Sequence, residues 1–466
     1  MRLALGLVAL VLVLPADAAA LELPASREVR LPNGALVILA EKHDVPMIAV
    51  RGFLRGGSVA DPPGKEGVAN LTASLLRKGA GKRTAEEIAA LVEGLGASLD
   101  TGGGLEASYA VGEFMARDQN TMLDVIADLL RRPTFPEKEF EKLRDQSIDA
   151  ITSAKDDPQE VIGGYAAAFF FGPHPYARPS DGDERTLKGL TREDVVAYYR
   201  ANYGGDRLIL TLVGDFDLPA MEAKVKTRFG HWAKAGAPLA AIPAVSRPRG
   251  HRVLLVDKPD ATQTYFWIGS LGVTRRDPER VPLDIANTAF GGHYTSILNT
   301  ALRIQGGLTY GARWQAPRYT QAGTVAIYSY TKTETTGKAV DLALETLAKA
   351  RRAGLDSAAV ASARSYITGQ FPTRFETESQ VASALVDLAY YGFDREELTG
   401  YAGRIAAARP DAIAQVVQRV YPPPEDLTFV FVGNASKIRS VVKRYGRVTE
   451  VKISEPLLSA LGREVR

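Results

Sequence analysis

One property limits this chain more than any other: it repeats itself. The stretch "LVILAEKHDVPMIAVRG", beginning at Leu36, can be laid over "RVLLVDKPDATQTYFWIG", beginning at Arg252. Each reads as an apolar strand, a charged turn and a second apolar strand. Glu41-Lys42 falls on Asp257-Lys258, a shift from 41 to 257, or 216 residues. Farther on, "LTREDVVAYYRANYGGDRLILTLVGDFD" and "DAIAQVVQRVYPPPEDLTFVFVGNASKI" both read as a helix, a tyrosine and a strand. They end in Val213-Gly214-Asp215 and Val432-Gly433-Asn434, a shift from 213 to 432, or 219 residues. Nearly equal shifts at opposite ends of each half predict one fold used twice.

The Ala-, Pro- and Gly-rich stretch "KAGAPLAAIPAVSRPRG", residues 234–250, reads as a linker. It separates a first domain, 21–233, from a second, 251–466. Each half mixes strand pairs with amphipathic helices. In "TAEEIAALVEGLG", Thr84 and Glu87 form a capping-box pattern, and Ile88, Leu91, Val92 and Leu95 recur at helical spacing. "NTMLDVIADLLRRP" and "PEKEFEKLRDQSIDAITSA" also read as helices. The expected class is α+β, with two homologous α/β sandwich domains joined by a linker.

The N-terminus carries a different signal. Arg2 is followed by an apolar run from Leu3 to Leu14, then Pro15 and small residues through Ala20. This is the pattern of a secretory signal peptide over residues 1–20; its apolar core is short for a membrane span, and an N-terminal membrane anchor is the alternative. No later segment has a long uncharged run, so membrane insertion after cleavage is not expected. The 57 basic and 54 acidic residues leave a net charge of +3, which gives no reason to invoke nucleic acid. Cysteine is absent, which excludes disulfides and thiolate metal sites. The expectation is an exported protein, most simply periplasmic.

Four segments, in order, carry a resemblance to a known family. They are "LPNGALVILAEKHDVPMIAVRGFLRGGSVADPPGKEGVANL", "RRPTFPEKEFEKLRDQSIDAI", "HPYARPSDGDERTLKGLTREDVVAYY" and "GGHYTSILNTALRIQGGLTYGARW". Together they resemble the pitrilysin/insulinase family of zinc peptidases, the inverse zincins, across nearly the whole chain after residue 20. The resemblance implies two related α/β domains, mitochondrial processing peptidase-like, joined by a linker.

It also implies a metal site, and there this chain departs. Active relatives carry His-x-x-Glu-His on a helix, so that both imidazoles reach one zinc and the glutamate acts as general base. A glutamate on a later helix completes the site. Here the motif falls on Asn70-Leu71-Thr72-Ala73-Ser74, with Asn70 and Ser74 at the histidine positions and Ala73 at the base position. The later ligand falls near Ala150, beside Asp149. An amide, a methyl group and a hydroxyl do not replace three ligands and a base. The five histidines, His43, His174, His231, His251 and His293, are too scattered to rebuild a site locally. The chain is therefore expected to bind no metal cofactor.

In two-subunit relatives, the subunit lacking the motif supplies an arginine and a tyrosine from its second domain. Arg303 and Tyr310 in "LRIQGGLTYG" match that pair in type and spacing. Both are donors able to hold a substrate carbonyl or the oxyanion formed from it. The plainer alternative is a surface ion pair for Arg303 and packing at a strand start for Tyr310. Gly102, Gly103 and Gly104 lie where relatives place a substrate-lining strand, and Gly291 and Gly292 precede the Arg303 segment. Either they let a peptide approach closely, or they are loop and bulge positions. The resulting expectation is a non-catalytic subunit of a heterodimeric zinc metallopeptidase, with zinc in a partner of the same family and a peptide as substrate. A scaffold or peptide-binding protein of the same fold, and an independent peptidase with altered ligands, are the alternatives.

Overall fold

The computed structural model describes residues 21–462, so the segment read as a signal peptide lies outside the described residues. The repeat is visible as two six-stranded sheets. The first contains β1 (Ser26–Arg30), β2 (Leu36–Glu41), β3 (Met47–Arg55), β4 (Ser98–Gly103), β5 (Ala107–Met115) and β6 (Leu208–Gly214), in the order β1-β2-β6-β3-β5-β4. The second contains β7 (Arg252–Asp257), β8 (Gln263–Leu271), β9 (Ala312–Gln315), β10 (Thr324–Lys332), β11 (Thr428–Gly433) and β12 (Val448–Lys452), in the order β9-β10-β8-β11-β7-β12.

Five strands of each sheet correspond: β2-β6-β3-β5-β4 repeats as β7-β11-β8-β10-β9. The registers repeat as well. Leu36 pairs in parallel with Ile209, and Arg252 pairs in parallel with Thr428. The shifts are 216 and 219 residues, those read from the sequence. Only the outer strand beyond this set differs. The first half adds β1, antiparallel to β2, while the second adds β12, parallel to β7. At the other edge, β4 pairs only with β5 and β9 only with β10, so each half presents an unpaired strand edge among the described residues. Gly214 ends β6 at φ 145, where a Cβ would lie 2.1 Å from the Met47 carbonyl oxygen, so no larger residue fits.

One face of each sheet is covered by helices of its own half, building two separate cores. The other faces are covered by exchange. The helices needed below are α1 (Val68–Leu75), α2 (Glu137–Ala154), α3 (Pro158–Phe171), α4 (Arg280–Asn287) and α5 (Glu378–Tyr391). α3, from the first half, lays Phe169 and Phe170 against Leu254, Trp267 and Val430 of the second sheet. α5, from the second half, lays Val381, Leu385 and Val386 against Ile38, Ala49, Ile209 and Val213 of the first. Each half thus completes a core of the other, and the area removed from water holds the halves together.

Between Phe229 and Arg252 the backbone forms no helix or strand. That stretch contains the residues read as a linker, and it is anchored where His174 Nε2 meets the Pro243 carbonyl at 2.9 Å. Thr84 and Glu87 make the reciprocal capping bonds their spacing predicts. Among the described residues no helix is long and apolar enough to cross a membrane.

Candidate functional site

The residues read as a degenerate motif, Asn70 to Ser74, lie on α1. This helix starts at Gly67, which has φ 97 and no side chain to cap it. Asp61 serves instead: its carboxylate accepts from Gly67 N at 2.8 Å and Ala69 N at 3.0 Å. Burial pushes the Asp61 carboxyl up to about 8, against the opposing pull of those two donors.

The motif positions have other occupations. Asn70 uses both ends of its amide, its Nδ2 donating to Asp181 Oδ1 at 2.7 Å and its Oδ1 accepting from Gly103 N at 3.0 Å. The first histidine position is therefore a tie between α1, the edge strand β4 and the Asp181 loop, where burial raises the Asp181 carboxyl above its ordinary value. Ala73 is wholly buried, so no base is presented there. Ser74 is half-buried, and Asp149 and Ala150 are exposed on α2. Among the described residues no group of three His, Cys, Asp or Glu side chains is placed to hold a metal ion. These residues do not fit a catalytic zinc, whose three protein ligands have no counterpart here.

Four of the five histidines are engaged elsewhere, and His231 is exposed. His43 Nδ1 pairs with Asp215 at 2.7 Å, and His251 Nδ1 meets the Tyr445 carbonyl at 2.9 Å. His293 Nδ1 meets the Thr288 carbonyl at 2.9 Å while its ring stacks on Tyr366. His174 is a loop residue, accepting from Tyr176 N at 3.1 Å.

The glycines divide by role. Gly102 and Gly103 are in β4 itself, not in a loop or bulge, and Gly104 follows its end. A Cβ on Gly103 would lie 2.7 Å from Asn70 Cα, and one on Gly291 would lie 2.5 Å from Trp314 N. In both halves one glycine therefore removes a side chain where the helical segment after the second strand crosses the edge strand. In the first half it is on the strand, in the second on the helical side. Close approach is real at both positions, but the neighbour is the protein's own backbone. Gly292 is exposed and only loosely crowded, by the Asn287 carbonyl at 3.3 Å.

Arg303 lies on an irregular helical turn, Thr300–Gln305, and Tyr310 stands two residues before β9. Neither plain expectation holds. Among the described residues Arg303 has no ion-pair partner; its guanidinium sits over the Tyr294 ring, 4.7 Å from the centroid. Tyr310 is 75% exposed rather than packed. Asn299, only 4% exposed, links the two sides. Its Nδ2 donates to the Tyr294 carbonyl at 2.7 Å and its Oδ1 accepts from Ala312 N at 3.0 Å. One buried amide thus fixes both the platform under Arg303 and the strand after Tyr310. Tyr294, Asn299 and Asp181 carry no signal in the sequence, since their partners are distant or backbone atoms that no local spacing reveals.

Two α/β halves, each with a free sheet edge and a helix crossing it, define the class of two-domain inverse-zincin peptidase folds. The family models agree: residues 36–182 match "Insulinase (Peptidase family M16)" and residues 189–367 match "Peptidase M16 inactive domain". The chain belongs to the pitrilysin/insulinase (M16) family. Among its relatives is an uncharacterized zinc protease of Mycobacterium tuberculosis, 25% identical over 372 residues, which span 80% of this chain and 84% of the relative. Another, from Bacillus subtilis, is 22% identical over 351 residues, 75% of this chain and 85% of the relative. Of solved structures, the peptidase M16 inactive domain from Pseudomonas fluorescens superposes with a TM-score of 0.82 at 22% identity, covering 88% of this chain and 98% of that one. The periplasmic protease PqqL from Escherichia coli gives 0.75 at 15% identity, covering 93% of this chain and 49% of that one. These likenesses show a shared fold.

Proposed function

We propose that this chain is the non-catalytic subunit of an exported heterodimeric zinc metallopeptidase. Its partner, of the same family, carries zinc. This chain contributes peptide binding and presents Arg303 and Tyr310 to the partner's site. The carrying observation is the state of α1: Asn70 is consumed in two hydrogen bonds and Ala73 is a buried methyl. A helix so engaged offers neither an imidazole nor a carboxylate to a metal, which supports a reading in which a second chain supplies bond cleavage. The exposed Tyr310 hydroxyl and the half-buried Arg303 suit presentation to a second chain. A partner's oxyanion would compete with Tyr294 for the guanidinium, a weak cation–π hold of about 0.5–1 kcal/mol at an exposed site.

One observation favours the second reading, a scaffold or peptide-binding protein without a catalytic complex. Arg303 rests on Tyr294, a neighbour within this chain, rather than reaching into solvent. Co-purification from the native host separates the two readings. On the first, a zinc-bearing subunit accompanies the chain and the assembled pair cleaves peptides. Arg303→Ala or Tyr310→Phe then lowers that activity by roughly a hundredfold, the usual cost of one oxyanion donor. Full activity in the double variant refutes the role given to the pair. Stoichiometric zinc together with cleavage by the isolated chain refutes the reading entirely.

A further inference from the structure

Beside Tyr310 a cavity of about 260 Å³ opens between the two halves. Gln159 and Ile162 on α3 of the first half line one side, and Arg313, Gln315, Tyr328 and Tyr330 of the second sheet line the other. Alternation along β9 sets this up. Ala312 and Trp314 belong to the core of the second half, so Arg313 and Gln315 stand exposed on the opposite face. Tyr310 also lines the cavity, so a ligand held there sits next to a residue proposed for presentation to the partner.

Among the described residues Arg313 is the one charged group in the lining. The duplication supplies a comparison. In the second sheet Arg313, Tyr328, Trp267 and Val430 lie side by side across four strands. The same row of the first sheet is Asp100, Val111, Arg51 and Thr211. There the edge residue, Asp100, is met by Arg77 at 3.4 Å. In the second half the edge charge is reversed, and among the described residues Arg313 has no ion-pair partner. The Asp157 carboxylate at the head of α3 caps that helix instead, accepting from Gln159 N at 2.9 Å. The Tyr328 hydroxyl, next to Arg313 in the row, is buried with no hydrogen-bond partner among the described residues. Burial also holds its phenol well above the ordinary value, so it remains a neutral donor.

A guanidinium among amides and phenols, with no carboxylate in the lining, suits an anion. Its planar fork matches a carboxylate in particular. A space of about 260 Å³ admits one side chain or the end of a chain, not a folded partner.

We propose that this cavity binds a carboxylate of the peptide, either its C-terminal group or an Asp or Glu side chain, with Arg313 as the specificity-determining residue. The inference rests on the reading of this chain as a peptide-binding subunit and adds the class of peptide it selects. Nothing in it requires the partner, so the isolated chain can be tested. Fluorescence anisotropy would follow N-terminally labelled peptides of one neutral sequence in three forms: amidated, with a free C-terminus, and amidated with one internal Asp. At low salt a carboxylate form should bind about tenfold tighter than the neutral amide, the low end for a hydrogen bond to a charged group. A gain in the free-acid form places the C-terminus in the cavity, and a gain in the Asp form places a side chain there. In Arg313→Gln that ratio should fall to within twofold of one, and in Arg313→Glu the neutral form should bind tighter. Arg352→Gln, at an exposed arginine outside the lining, should leave the ratio unchanged. Equal binding of all three forms, within twofold, overturns the carboxylate site and leaves the peptide-binding reading standing. A preference that survives Arg313→Gln, or that falls equally in Arg352→Gln, overturns its location. Absence of binding by any form overturns both the site and the reading beneath it.

Discussion

Gly103 allows the clearest test of how the motif helix is held, because the structure sets the size of the effect. In Gly103→Ala the new methyl would lie 2.7 Å from Asn70 Cα, 2.9 Å from Asn70 N and 3.2 Å from Ala69 C. All three are backbone atoms, so no side chain can swing aside. Either α1 or β4 has to shift, and such overpacking costs about 1–3 kcal/mol. The same shift stretches the 3.0 Å bond from Gly103 N to Asn70 Oδ1, worth about 1 kcal/mol. Stiffening of the unfolded chain returns about 0.4–1 kcal/mol. The net is a loss of about 1–3.5 kcal/mol, which for a domain of this size lowers Tm by roughly 2–14 °C. Scanning calorimetry on the full chain reads this as a downward shift of its unfolding transition, since each half completes a core of the other. Gly104→Ala is the control, since its nearest neighbour is the Ala107 carbonyl oxygen at 3.2 Å and its φ is not positive. It should change Tm by no more than about 2 °C. Equal small shifts in both variants would refute the idea that Gly103 exists for the helix.

Three further outcomes follow from single contacts. Tyr294→Leu removes the platform under Arg303, so Arg303 Nε should show faster side-chain motion by ¹⁵N relaxation, with a stability loss of only about 1 kcal/mol; unchanged relaxation would refute the contact. Asp61, held up at about 8 against an ordinary 3.8, stabilises the fold fully only below about pH 4, and that contribution is lost as pH rises through 8; Asp61→Asn should flatten the fall in stability between those values, measured by denaturant midpoints across pH. Glu106→Gln removes a buried charge-assisted tie between the halves and should cost about 2–4 kcal/mol. Hydrogen exchange at Thr320 and Gln321 should speed up, and unaltered exchange would contradict the tie.

What the sequence discloses and what it hides divide by the range of the interaction. The duplication was legible because strand pairing preserves spacing: Leu36–Ile209 and Arg252–Thr428 are the same parallel pairing displaced along the chain. The lack of histidine and glutamate from Asn70 to Ser74 was legible because the residue identities alone show it. The exchange of helices was not, since α3 carries no single apolar stripe. Ile162, Tyr165, Ala166 and Phe169 to Phe171 are all buried, a pattern that marks a helix enclosed on several sides without saying by what. Nor could spacing predict that Asn70 would be turned to bridge β4 and Asp181, because its partners are 33 and 111 residues away. On the reading proposed above, that bridge also limits what α1 can carry. Histidines placed at 70 and 74 and a glutamate at 73 would remove the amide that joins the helix to its strand and force a carboxylate into a wholly buried position. The tie and a ligand compete for one side chain, so zinc binding on this helix would require rebuilding the packing of α1 as well as changing its residues.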